Sequence, residues 1–246
     1  GKVAGVANGI LQQARTMARS APSSPLNVTI GEQRRFGMAR TELDDYKRVR
    51  KAHGGTVNDV VLATVSGALR TWLLTRGESV RAMVPVSVRS EGEAGGNRVS
   101  SYFVDLPVGE GNAVMRLHQV SFAMRGHKES GQSVGADALV QLTGFAPPTI
   151  HALGARVASG FSKRLFNLVV TNVPGPQFPL YAAGARMLEM YPVVPLSKGQ
   201  AVSIGLTSYD GGVYYGLNAD RDAMPDVDVL ANCIEESLAE LVGTVS

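Results

Sequence analysis

Polar side chains that could act on a ligand stand out at two places. In "GGTVNDVVLA" (54–63), Asn58 and Asp59 open an otherwise apolar run. In "NLVVTNVPGPQFPL" (167–180), Asn172 closes an apolar run, and Val173, Pro174, Gly175 and Pro176 follow it. An asparagine amide donates and accepts hydrogen bonds but carries no titrating proton. The chemistry open to both places is therefore holding and orienting, not proton transfer. Thr56 and Asp59 also have the spacing of a capping box, which satisfies the free amides of a first helical turn. That box has no need of Asn58, which is free to present its amide to a ligand or a facing loop. The Pro-Gly-Pro turn has two readings as well: a stiff strand end, or a backbone wall fixed beside a ligand. The locked φ of proline lowers the entropy lost in ordering such a wall.

The residue types that usually carry catalysis are not arranged for it. None of the histidines, His53, His118, His127 and His151, has a partner at HxxxH or HExxH spacing. GxSxG, P-loop and GxGxxG patterns are absent. The carboxylate pairs Asp44-Asp45 and Glu235-Glu236 fall on solvated helix faces. Cys233 is the single cysteine, so no intrachain disulfide forms; it lies within a helical pattern as a buried structural thiol. The chain is thus expected to hold no metal site and no catalytic residue, and its compartment is expected to be the reducing cytosol.

The chain has 246 residues, 44% of them apolar, which is enough for a sizeable core. A net charge of +3 is too small and too scattered for nucleic-acid binding. No charged residue falls between Arg164 and Arg186, but Asn167, Asn172 and the prolines break any spanning helix there. No signal peptide is read at the amino terminus.

These residues must be held by a mixed set of elements. A helix is expected over 1–20, then a Pro/Ser linker, extended chain, and a charged helix over 41–54. The clearest helix starts at Thr56 and stops at Gly77. Strands follow at 80–89, where Pro85 implies an edge or a bulge, and at 98–108. Next come a helix over 112–130 and two helices over 136–159, broken at Pro147-Pro148. Strands are expected over 166–173 and 184–195. A hairpin follows over 201–220 with its turn at Asp210-Gly211-Gly212, then a closing helix over 224–242. The order implies an α/β (α+β) sandwich with a mixed sheet and helices on one face.

"PLNVTIGEQRR" (25–35), "NDVVLA" (58–63) and "TNVPGP" (171–176), in this order, resemble the second half of the bacterial wax ester synthase/diacylglycerol acyltransferase family. The resemblance covers nearly the whole chain. It implies one half of a chloramphenicol-acetyltransferase-like, CoA-dependent acyltransferase fold, in which a tunnel between two similar halves admits acyl-CoA and an alcohol. It implies residues 1–35 as a helix and crossover from the first half, and 36–246 as the carboxy-terminal acyltransferase domain. The family's general base lies in an HHxxxDG motif of the first half. This chain has no adjacent histidines, and its only "DG" is Asp210-Gly211. The complete protein is therefore expected to esterify diacylglycerol or a long-chain alcohol, and this chain alone to be inactive.

By the same resemblance, Asn58, Asp59, Asn172, Val173, Pro174, Gly175 and Pro176 are the expected substrate-binding residues. "LFNLVV" is expected to line the acyl tunnel, and Arg34 and Arg35 to contact CoA phosphates, with solvated charge as the competing reading. No cofactor is expected, acyl-CoA being a substrate. Expected partners are the amino-terminal half, a second copy in a homodimer, and a membrane or lipid-inclusion surface. The alternative is a non-catalytic module of the same fold that binds acyl chains or a partner.

Overall fold

The computed structural model describes residues 20–73, 80–87, 99–130, 134–135 and 165–245. The elements are β1 (Arg34–Glu42), α1 (Leu43–His53), α2 (Val57–Leu73), β2 (Val80–Ser87), β3 (Val99–Leu106), α3 (Ala113–Ser130), β4 (Val134–Gly135), β5 (Leu168–Pro174), β6 (Tyr181–Ala182), β7 (Ala185–Arg186), β8 (Val202–Tyr209), β9 (Gly212–Asp220) and α4 (Val227–Val242). The helices expected over 1–20 and 136–159, with His151, and the stop at Gly77 lie outside the described residues.

A seven-stranded sheet runs in the order β1-β9-β8-β5-β2-β3-β4. β5 is parallel to both its neighbours, β2 and β8, while the other pairs are antiparallel, so the sheet is mixed as expected. Alternation divides the strands between two faces. Val202, Ile204 and Leu206 of β8 and Val213, Tyr215, Leu217 and Ala219 of β9 join the four helices in one core. Met83, Phe103 and Val169 point the other way, into a smaller cluster with Leu165 and Phe166. "LFNLVV" is therefore sealed by its own domain: every residue from Leu165 to Val170 is buried. Only the chain beyond Val170 is open to face a ligand.

α2 lies at the centre of the helical layer. It is buried almost all round, from Asp59 to Leu69 and again at Trp72 and Leu73, as befits a helix apolar on every side. It packs against α3 and α4. Pro85 sits inside the sheet order, yet β5 pairs with β2 only at Ala82 and Met83. Past that point β2 has no ladder partner on the β5 side among the described residues, and a residue without an amide proton fits there.

The strand expected over 184–195 is not one. Only Ala185–Arg186 pairs, with Tyr181–Ala182 in a small hairpin. The rest crosses the sheet face away from the helices as a strap. Gly205 and Gly216 are cross-strand partners, and Pro192 and Val194 lie on them. A Cβ on Gly205 would meet Val194 Cγ2 at 2.7 Å, and one on Gly216 would collide with the Pro192 carbonyl. The sheet face supplies the strap's hydrogen bonds: Ser203 Oγ (2.6 Å) and Asn218 Nδ2 (2.9 Å) donate to the Val194 carbonyl, and Tyr209 Oη donates to that of Met187 (3.0 Å). A chain carrying Pro192 and Pro195 lies across a sheet more readily than it extends one.

"PLN" proves to be architecture. Leu26 is fully buried, and its carbonyl accepts from the Ala201 amide (2.7 Å). Asn27 meets Asn167, which is itself fully buried; Asn167 accepts from the Arg81 amide (2.6 Å) and donates to the Pro22 carbonyl (2.9 Å). Under α1, buried hydroxyls form a chain. Tyr215 and Tyr46 are 2.7 Å apart, Tyr46 and Thr41 are 3.0 Å apart, and Thr41 Oγ1 donates to the Val213 carbonyl (3.4 Å). Burial pushes Tyr46 up to about 12, and Tyr215 well above the ordinary value.

Candidate functional site

The carboxyl end of β5 and the amino end of α2 meet. Asn172 Nδ2 donates to Asn58 Oδ1 at 3.2 Å, across 114 residues of sequence. Both side chains are half-buried. This single bond leaves the Asn58 amide protons and the Asn172 carbonyl available to a third group.

Asn58 is held from behind by the expected capping box. The Thr56 amide donates to Asp59 Oδ2 (2.8 Å), and the Asp59 amide reaches Thr56 Oγ1 (3.2 Å). Asp59 is buried, and its Oδ1 has no hydrogen-bond partner among the described residues. Of the two residues, Asp59 fixes the helix start and Asn58 reaches outward.

Asn172 is held by the turn that follows it. Thr207 Oγ1 donates to the Val173 carbonyl (2.8 Å). Gly175 lies so close to β8 that a Cβ would collide with the Ser208 carbonyl. The Asp210 amide donates to the Pro176 carbonyl (3.1 Å). Gln177 closes the arrangement, donating to Ser208 Oγ (2.9 Å) and accepting from the Gly211 amide (3.1 Å). The rigid turn is thus sewn to the β8–β9 turn. Sequence reading missed Gln177, Thr207 and Ser208; Gln177, next to Pro176, was the one signal within the motif. Val173 itself is 62% exposed. From there an apolar arm continues through Phe178, Leu180, Tyr181, Leu188 and Val193, all exposed.

Arg34 and Arg35 are not brought to this place. They begin β1, whereas the row through Asn172 runs Leu206, Tyr215, Ala39, so they lie about 20 Å away by strand spacing and rise. Arg34 pairs with Asp220 (3.5 Å) and Arg35 with Asp228 (2.8 Å). Asp220 accepts from the amides of Gly31, Asp222 and Ala223. Its burial acts to raise its pKa, yet these amides and Arg34 bring it below the ordinary value.

Among the described residues no group of acidic, histidine or cysteine side chains could hold a metal ion. The described histidines are engaged elsewhere or exposed. His53 Nε2 meets Thr244 Oγ1 (2.8 Å), His127 stacks on Tyr102, and His118 faces solvent. Burial lowers the pKa of His127. Cys233 is buried with its thiol pKa raised by desolvation, as a packing residue should be. Asp210 pairs with Arg186 and, with a φ of 45°, forms the β8–β9 turn. No helix among the described residues is long and apolar enough to cross a membrane. The two amides can therefore orient a carbonyl or hydroxyl, but neither can accept its proton.

Known proteins are similar to this chain in sequence and fold. Residues 95–242 match the WS/DGAT C-terminal domain, and residues 2–61 match the wax ester synthase/diacylglycerol acyltransferase catalytic domain. A probable diacylglycerol O-acyltransferase of Mycobacterium tuberculosis is 35% identical over 230 residues, covering 91% of this chain and 50% of the relative. An O-acyltransferase of Acinetobacter baylyi is 32% identical over 232 residues, covering 92% of the chain and 50% of the relative. The chain spans about half the length of these curated relatives. The solved wax ester synthase/diacylglycerol acyltransferase of Marinobacter aquaeolei VT8 superposes with a TM-score of 0.71 at 30% identity, over 94% of this chain and 55% of that one. A cyclization-docking bidomain of Sorangium cellulosum, 16% identical over 95% of this chain and 47% of its own, shares the fold at a TM-score of 0.59. With both motifs joined at one end of β5 on this fold, the chain belongs to the wax ester synthase/diacylglycerol acyltransferase family.

Proposed function

We propose that this chain is the carboxy-terminal part of an O-acyltransferase that moves an acyl group from acyl-CoA to diacylglycerol or a long-chain alcohol, giving triacylglycerol or wax ester. The observation that carries the reading is the Asn172–Asn58 contact, which joins the two family motifs at the open end of a strand. The pair orients the reacting head group. Asp59, Val173, Pro174, Gly175 and Pro176 hold it still from either side. The base that takes the acceptor hydroxyl's proton comes from outside this chain, whose sequence contains no HHxxxDG. The alkoxide then attacks the thioester carbonyl, and the CoA thiolate leaves.

The other half of the protein packs on the apolar arm from Val173 to Val193, a stretch too exposed to face water in the working enzyme. A tunnel wall between the halves starts at Thr171, since the strand before it is sealed. Each methylene buried along such a wall is worth about 0.8 kcal/mol, which suits a long acyl chain. Oily substrates also favour peripheral association with a membrane or lipid inclusion.

The test is direct. The full-length protein containing this chain, given labelled acyl-CoA with diacylglycerol or hexadecanol, should yield labelled ester, and this chain alone should yield none. No ester from the full-length protein with either acceptor refutes the activity. Ester formed by the chain unaided refutes the assignment of the base to the other half.

A further inference from the structure

Most of the lysine and arginine side chains among the described residues have a partner. Among the described residues, Arg50, Lys51, Arg125 and Lys128 are the exceptions: they have neither an acidic nor a carbonyl partner. They are not scattered. Arg50 and Lys51 lie on one stripe of α1 with Lys47, at i, i+3 and i+4, and Gly54 continues that stripe at i+7. Lys47 is paired with Asp44, leaving the end toward Gly54 cationic. Arg125 and Lys128 lie on one stripe of α3 with Ser121, at i+4 and i+7 from it.

The two stripes converge. Gly54 and Gly55 both have φ of +81°, and a Cβ on Gly55 would lie 2.6 Å from Ser121 Oγ and 3.1 Å from Asp59 Oδ2. The Gly54-Gly55 turn that ends the α1 stripe therefore touches the first residue of the α3 stripe. Arg116 of α3 lies against Gly67 of α2 and Ser121 against Gly55, so the two helices are antiparallel and α3 runs on past the start of α2, carrying the exposed Arg125 and Lys128 with it. Asn58, half of the amide pair, opens α2 at the same place. Ser121 Oγ is buried there without a hydrogen-bond partner among the described residues. Glu129, the single acid of α3, forms no ion pair there with either cation. The field of each helix favours a cation in its last turn. That effect does not bring the carboxyl end of α1 against Ser121, at the start of the α3 stripe and beside the amide pair.

We infer that this cationic lip binds the phosphates of the nucleotide head of acyl-CoA, so that the pantetheine arm enters past Gly54-Gly55 toward Asn58 and Asn172. The inference rests on the acyltransferase reading above and gives it a donor side. It also replaces Arg34 and Arg35, whose charges are taken by Asp220 and Asp228. Lysine and arginine held near a phosphate recognise it by charge and by multiple donors. The same lip would meet the phosphate of an anionic lipid headgroup, so the test must separate the two sources.

The full-length protein carrying Arg50→Ser, Lys51→Ser, Arg125→Ser and Lys128→Ser is compared with the parent in three measurements. First, the KM for acyl-CoA rises about tenfold, while the KM for the same acyl group on pantetheine, which lacks the head, does not rise. Second, calorimetric binding of adenosine 3′,5′-bisphosphate weakens by a similar factor. Third, cosedimentation with phosphatidylglycerol vesicles is unchanged. Arg34→Ser/Arg35→Ser keeps the parent KM for acyl-CoA. An equal KM change for both donors, unaltered bisphosphate binding, or loss of vesicle binding with an unchanged KM overturns the site. A KM increase confined to the Arg34/Arg35 variant overturns it too. A parent protein that transfers from neither donor refutes the acyltransferase reading instead, and bisphosphate binding still reads the site.

Discussion

β5 carries an asparagine at each end, and the two differ in everything but type. Asn167, before the first strand residue, is fully buried, and its side chain makes bonds to the Arg81 amide, the Pro22 carbonyl and Asn27. Asn172, near the last, is half-buried and makes one bond, to Asn58. A buried amide with its bonds made fixes a structure. An amide left half-satisfied at an open strand end can still bind something else. The difference teaches where architecture stops and the site begins along one strand.

Replacing the sealed end should hurt folding most. Asn167→Ala removes the buried acceptor of the Arg81 amide and the donor to the Pro22 carbonyl, so stability of the full-length protein should fall by about 3 kcal/mol in denaturant unfolding. A loss below about 1 kcal/mol would break the contrast. Asn172→Ala should do the reverse, with stability changed by less than about 1 kcal/mol and ester formation slowed about tenfold or more, read by thermal unfolding beside initial rates.

Smaller effects sharpen the architectural side. Tyr46→Phe cuts the buried hydroxyl chain between Tyr215 and Thr41 and should cost about 1 to 2 kcal/mol, measured by the same unfolding. The chain also sets an alkaline limit. The folded pKa of Tyr46 is raised from 10.0 to about 12, so its stabilising contribution is complete below pH 10 and is lost as pH rises through about 12. Tyr46→Phe should flatten that arm of the stability profile. The acid arm has the opposite sign. The folded pKa of Asp220 is lowered from 3.8, so its contribution is present above that value and disappears as pH falls through the lower folded one. Asp220→Asn should reduce the acid sensitivity slightly, the smallest change of the set.

Local features were legible in the sequence, and juxtapositions were not. The Thr56–Asp59 box, the Asp210-Gly211-Gly212 turn and the mixed order of elements follow from spacing and turn chemistry, which act over a few residues. An apolar, extended run such as 184–195 looks alike in a ladder or lying across a sheet; Gly205 and Gly216, far along the chain, decide between them. Asn58 and Asn172 carried the right residue type, but their contact is a product of sheet order. Arg34 and Arg35 looked free because their acids, Asp220 and Asp228, are distant in sequence. The cations of α1 and α3 are brought near one another only by the contact of Gly55 with Ser121, which spacing along the chain does not show.

The central claim, that Asn58 and Asn172 act as one unit, is tested most directly by a double-mutant cycle on ester formation in the full-length protein. Asn58→Ala and Asn172→Ala should each slow the reaction about tenfold, and the double variant should be no slower than either, a coupling of about 1.4 kcal/mol. Unchanged rates in both single variants, or losses that multiply in the double, would contradict it.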